Sequence, residues 1–131
     1  MIGLDTNVLV RYIMQDEPKQ AAQATRLMES LTSQDRGYIP VAAILELFWV
    51  LTKPYALNRQ QTAQAIELLL RTKEIVVDRA EHVAQALRRY TSSSADFADC
   101  LIACMAASAG CTNTYTFDVQ AATAAGMTLV D

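Results

Sequence analysis

Short apolar runs that lead into segments of helical periodicity are what most restrict the fold of this chain. Residues 1–4, 38–39, 75–77 and 112–117 are apolar or β-branched runs of this kind, and 127–130 is another at the end. Between them, apolar residues recur every three to four positions, the period of a helix with one buried face. Parallel strands need a crossover to return the chain to the same edge, and a helix supplies it. The alternation therefore predicts an α/β domain with a mostly parallel sheet. Four glycines and three prolines punctuate the 131 residues, so little prevents the rest from being helical.

The boundaries follow from local chemistry. Asp5 or Thr6 can cap a first helix that runs to Met14, since a side-chain oxygen there accepts an orphan N–H. Residues 15–18 break it. Pro18 suits the first turn of a second helix, which carries Ala21, Ala24, Leu27, Met28 and Leu31. A turn is expected at 34–37, and the strand at 38–39 is stopped by Pro40. A helix over residues 41–52 ends before Pro54, and Asn58 caps another with Ala65, Ile66, Leu69 and Leu70 on its apolar face. A strand at 75–77 and a helix over 80–90 follow. A turn and cap at 92–94 then precede a helix over 95–109, closed by Gly110. A strand over 112–117, a short helix over 119–125 and a strand over 127–130 complete the chain. No linker, repeat or low-complexity stretch divides it, so one domain over residues 1–131 is expected.

Composition excludes several classes. With 52% apolar residues and a net charge of −3, the chain is too apolar and too weakly charged for intrinsic disorder. The acidic balance is opposite to that of a basic nucleic-acid binder, though a local basic rim could still hold RNA. Cys100, Cys104 and Cys111 do not form a disulfide framework. The N-terminus lacks a basic region followed by an apolar stretch, and no apolar run reaches the ~18–20 residues that cross a bilayer. A cytoplasmic protein without membrane association is expected.

The informative residues are acids placed where apolar segments should have none. Glu46 is the sole charge in 41–52, Asp99 the sole charge in 97–105, and Asp5 the sole charged side chain in the first ten residues; Asp118 closes the run Thr116-Phe117. No lysine or arginine lies within these segments to pair with them. Burying isolated carboxylates is costly unless they protonate or find a cation. Mg²⁺ or Mn²⁺, which prefer oxygen ligands and keep several waters, would relieve several such acids at once. Asp5 and Asp118 also fall just after predicted strands, where parallel sheets place their ligand sites. Each acid has a plain structural alternative: Asp5 as a helix cap, Asp118 as a turn residue, and Asp96 as a first-turn partner of the helix dipole. Glu46 could lie on an exposed helix side, although Leu45, Leu47 and Phe48 argue against it, and Asp99 could be a surface acid, although Cys100, Leu101, Ile102 and Ala103 leave little room for a polar face. A shared acidic site explains all of them together.

These residues also carry a resemblance. Asp5-Thr6-Asn7-Val8-Leu9-Val10-Arg11-Tyr12 resembles the first motif of VapC-type toxin ribonucleases of the PIN-domain superfamily. Leu45-Glu46-Leu47-Phe48-Trp49-Val50-Leu51 is similar to the second. Ala95-Asp96-Phe97-Ala98-Asp99-Cys100-Leu101-Ile102-Ala103 is similar to the third, with Cys100 where alanine is common. Thr116-Phe117-Asp118 resembles the fourth. Relatives often carry a basic residue at one of the next two positions; here they are Val119 and Gln120.

The resemblance implies a three-layer α/β/α sandwich, with a short, mostly parallel sheet of about four to five strands and helices on both faces. It implies that Asp5, Glu46, Asp99 and Asp118 form a catalytic cluster for Mg²⁺ or Mn²⁺. In that cluster Asp5 and Asp99 are direct ligands, Glu46 acts through a water, and Asp118 acts on a second ion or a water. Thr6, Asn7, Asp96 and Thr116 would support these acids, because carboxylate ligands need hydrogen bonds to hold their orientation. Arg11 could reach an RNA phosphate or an antitoxin carboxylate, or be an ordinary solvated arginine. The implied activity is endonucleolytic cleavage of RNA by an activated water, leaving 5′-phosphate and 3′-hydroxyl ends, by the toxin of a toxin–antitoxin pair. An antitoxin partner and a homodimer are implied with it.

Two competing readings remain: a PIN-like binding module with little catalysis, and a structure-specific nuclease outside a toxin–antitoxin system. A haloacid-dehalogenase-type phosphatase is disfavoured, because it wants a second aspartate where Asn7 stands. His82, the sole histidine, lies in a polar stretch before a helix and is not expected to act as a base. Phe48, Trp49 and Tyr12 are expected in a core or an interface. Cys100 and Cys104 should pack rather than bind zinc. Arg88, Arg89 and Lys53 could line an RNA path but are expected to be solvated.

Overall fold

Local capping chemistry sets most element boundaries in the computed structural model, which describes residues 1–131. Backbone contacts divide the chain into two compact units, Met1–Ala80 and Glu81–Asp131. No helix is long and apolar enough to cross a membrane.

The first unit runs β1 (Ile2–Gly3), α1 (Thr6–Met14), α2 (Pro18–Glu29), β2 (Gly37–Ile39), α3 (Val41–Thr52), α4 (Arg59–Arg71) and β3 (Ile75–Val77). Its strands form one parallel sheet in the order β1-β2-β3, with Ile2 opposite Gly37 and Gly37 opposite Ile75. Pro18 opens α2, whose first free N–H groups are taken by the Glu17 side chain. Asn58 and Gln61 form a reciprocal capping box that starts α4. Leu9, Ile39, Ile44, Leu47, Leu51 and Ile66 are fully buried and form the core.

Gly37 departs from the sequence reading. It was expected in the turn before the strand, yet it is the first residue of β2 and is buried. A Cβ there would sit 2.7 Å from Leu4 Cδ1 and 2.9 Å from Leu31 Cδ1. The missing side chain is what lets those leucines close over the strand.

The second unit runs α5 (Ala80–Ser92, whose first residue falls at the boundary), α6 (Phe97–Ser108), β4 (Tyr115–Thr116), α7 (Val119–Ala124) and β5 (Thr128–Leu129). Its two strands pair in parallel, Tyr115 with Thr128 and Thr116 with Leu129. The helix expected over 95–109 begins at Phe97, and Asp96 rather than a serine is its N-cap residue. It ends as foreseen: Gly110 takes φ +99, its N–H bonds Ala107 O, and Cys111 N–H bonds Ala106 O. This is the double closure that only a left-handed residue permits. His82 lies within the first turn of α5, not ahead of it.

All five strands pair in parallel and seven helices accompany them, so the α/β class and the parallel pairing are as the sequence indicated. The ladders are three- and two-stranded. Phe48 is core, whereas Trp49 is 60% exposed. The cysteines form no disulfide; Cys100 is buried and Cys104 half-buried, but Cys111 is exposed.

Candidate active site

In the first unit, β1 delivers Asp5. Leu4 is buried and its N–H bonds Tyr38 O at 2.8 Å, which extends the β1–β2 ladder to the residue before the acid. Asp5 is the N-cap residue of α1, and its carbonyl accepts from Val8 and Leu9. Its carboxylate makes no capping bond. The side chain therefore does not serve the role that would explain it most simply.

Thr6, 6% exposed, points its hydroxyl at α3 and donates from Oγ1 to Glu46 Oε1 at 2.9 Å. Two residues expected to cooperate are thus in contact, forty positions apart. Glu46 itself is exposed, contrary to the expectation from its apolar neighbours. The reason is periodicity: α3 buries Ala43, Ile44, Leu47, Phe48 and Leu51, while Ala42, Glu46 and Trp49 make up an exposed stripe. An almost wholly apolar helix can still have a wet side.

Asn7 is exposed and lines a cavity of about 290 Å³ with Val8, Arg11, Gln20, Gln23 and Leu27. Arg11 is not an ordinary solvated arginine. Its Nε donates to Gln20 Oε1 at 2.7 Å and its Nη1 to Tyr55 Oη at 3.3 Å. It also lies 3.7 Å from Asp16, to which Tyr55 Oη donates at 2.8 Å. That hydrogen bond to Asp16, with burial and the same negative charge, holds the Tyr55 phenol above its usual range.

In the second unit, the start of α6 carries Asp96 and Asp99. Asp96 is the N-cap residue, again with no capping bond from its side chain. Asp99 is half-buried in the first turn. Burial, then the negative charges of Asp96 and Asp118, push its carboxyl above the ordinary range. Asp99 is therefore within electrostatic reach of both Asp96 and Asp118.

Asp118 follows β4 and caps α7, its Oδ1 accepting from Gln120 N–H at 2.9 Å. Thr116 Oγ1 accepts from Asp118 N–H at 3.0 Å. Thr116 thus fixes the backbone under the acid rather than its carboxylate.

Gln120 is the residue that sequence reasoning undervalued. Its Nε2 donates to Ser94 Oγ at 2.8 Å and to Ser94 O at 3.3 Å. It ties the Asp118 turn to the segment that enters α6. Its standing where relatives often carry a basic residue was the available signal.

No lysine or arginine forms a salt bridge with Asp5, Glu46, Asp96, Asp99 or Asp118; the ion pairs of the chain lie elsewhere. No three of the chain's acidic, histidine or cysteine side chains are arranged so that they could hold a metal ion. In kind, the donors suit a hard divalent cation, being carboxylate oxygens without a competing ammonium or guanidinium.

The PIN domain family profile matches residues 2–126. The chain belongs to the PIN domain family. It is also similar to the VapC ribonuclease of Aquifex aeolicus (strain VF5), with 24% identity over 98 residues, 75% of this chain and 73% of that protein. The PIN domain match spans Asp5, Glu46, Asp99 and Asp118 alike.

Proposed function

We propose that this PIN domain, taken as one domain over residues 1–131, is a Mg²⁺- or Mn²⁺-dependent endoribonuclease and the toxin of a toxin–antitoxin pair. The observation that carries the reading is that every motif acid lacks a cationic partner in a chain with 11 lysines and arginines. Asp5, Glu46 and Asp118 are exposed and cost the fold little, but Asp99 is half-buried beside the negative charges of Asp96 and Asp118, a setting that favours a proton or a cation. Similarity to a VapC ribonuclease supports RNA as the substrate and an antitoxin as a partner. A homodimer in the cytoplasm completes the proposal.

In this reading Asp5 and Asp99 hold the ion, which when bound would polarise the scissile phosphate and ready a water for attack. The chain's own groups set the geometry. Glu46 has one oxygen engaged by Thr6 and presents the other to water. Asp118 has Oδ1 engaged at the start of α7, so Oδ2 is its available oxygen. Water attacks phosphorus in line and the bond to the 3′ oxygen breaks. That oxygen takes up a proton, leaving a 3′-hydroxyl and a 5′-phosphate. Asn7 and Asp96 border the acids they would support.

The test is cleavage of labelled total RNA by purified protein in Mg²⁺, Mn²⁺ or EDTA, beside Asp5→Asn and Asp99→Asn. Discrete, metal-dependent cuts lost in both variants are expected. A 2′,3′-cyclic phosphate product would overturn the mechanism. Folded but inert wild type would favour a binding module, and duplex DNA as the better substrate would favour a structure-specific nuclease.

A further inference from the structure

A second feature of the Glu81–Asp131 unit has no role in the acid cluster. A groove of about 1020 Å³ is lined by α5, α6 and the 123–126 segment after the start of α7. The charged residues on its walls are Arg88 and Arg89, with no acid among them. Neither arginine is in a salt bridge.

Arg89 is not simply solvated. Its Nε donates to Ala124 O at 3.0 Å. Its Nη2 lies 3.1 Å from where a Cβ on Gly126 would stand, at a backbone φ of +77. The guanidinium is thus docked against a turn that glycine keeps open. Arg88 is exposed, and close enough to Cys104 on α6 for its charge to act on that thiol. The floor is apolar and small, with Ala103 and Ala107. One end reaches Ser94, which Gln120 binds while its own N–H holds Asp118. The groove therefore abuts the turn that presents a motif acid.

A cationic wall with one docked arginine, one free one and no acid, over an apolar floor, suits a strand with regular negative charges and flat apolar faces. On a chain of net charge −3, such a wall is a local exception that selects for a polyanion. We propose that this groove binds the sugar–phosphate backbone of the RNA strand beside the bond to be cut, with Arg88 and Arg89 on its phosphates. The proposal rests on the ribonuclease reading above and adds a binding site to it.

The experiment is equilibrium binding of a labelled single-stranded oligoribonucleotide in EDTA over a series of KCl concentrations, with cleavage in Mg²⁺ run in parallel. The proteins are wild type, Arg88→Gln, Arg88→Lys and Arg88→Gln/Arg89→Gln. Each lost phosphate contact is expected to flatten the slope of log affinity against log salt by about 0.7, and the double variant to bind about tenfold more weakly at low salt. Arg88→Lys should keep the wild-type slope. Arg88 makes no side-chain bond the fold requires, so Arg88→Gln decides alone if the double variant fails to melt cooperatively. Wild type that cuts RNA while the variants bind with unchanged affinity and slope overturns the groove and leaves the ribonuclease reading standing. Wild type that neither binds nor cuts RNA overturns both. Variants that change only the association state, or only the binding of an acidic protein, make the groove a protein interface and overturn the RNA assignment.

Discussion

Replacing Thr6 by valine removes one hydroxyl and leaves the side-chain volume nearly unchanged. The hydroxyl donates to Glu46 Oε1 at 2.9 Å, and Thr6 is 6% exposed. A hydrogen bond to a charged group contributes about 1.5–3 kcal/mol when both partners are desolvated. Here Glu46 is exposed, so water takes the place of the lost donor. Valine needs no partner at a buried position. The stability cost should therefore be about 1 kcal/mol or less, a melting shift of no more than about 4 °C for a chain of this size. The effect on chemistry should be larger, because the bond is what orients the Glu46 carboxylate. Losing such a supporting bond typically costs about 10–100-fold in metal affinity or activity. The assay is the rate of RNA cleavage as Mg²⁺ is titrated, beside urea denaturation of the same samples. Thr6→Ser, which keeps the hydroxyl, should retain most of the rate. Thr6→Val that cuts at the wild-type rate with the wild-type Mg²⁺ dependence would refute the coupling. So would a loss of rate that merely follows a loss of folded protein.

Two other outcomes are expected. Burial, Asp96 and Asp118 raise the Asp99 carboxyl above its ordinary 3.8, so the protonated form is favoured by the fold. Metal-free wild type should lose stability relative to Asp99→Asn as pH rises from that value through the raised one; parallel urea midpoints across that window would contradict it. Gly37→Ala forces a methyl group to within 2.7 Å of Leu4 Cδ1, an overpacking cost of about 1–3 kcal/mol. Because Leu4 precedes Asp5, cleavage should fall as well, which urea denaturation and the RNA assay would show together.

What could be read from sequence was what depends on neighbours in sequence. Pro18, the Asn58 capping box and the Gly110 closure act within a few residues, so the helix limits they set were visible beforehand. Gly37 was misplaced because its reason is the packing of Leu4 and Leu31, which no local pattern displays. The strand expected over 112–117 shrinks to Tyr115–Thr116, since its partner β5 offers two paired residues. Glu46 was expected to be shielded because its neighbours are apolar, yet helical periodicity gives even this segment an exposed stripe. The motif acids were legible as types in order; their surroundings were not. Gln120 matters through Ser94, twenty-six positions away, and a single sequence does not display that distance.

The strongest physical hint about the acids comes from comparing polar residues at equivalent places. Glu17, Asn58 and Asp118 stand at helix N-caps and use their side chains to satisfy free N–H groups. Asp5 and Asp96 stand at the same kind of position and do not. An unused cap forgoes about 0.5–2 kcal/mol, and these two residues also forgo any salt bridge. Asp5 belongs to the first motif and Asp96 to the third, beside Asp99. Three polar N-cap residues thus bond the helices they start, while the side chains of Asp5 and Asp96 stay exposed and make no such bond; under the function proposed above, each is left open to a hard divalent cation, the kind of partner that carboxylate oxygens suit.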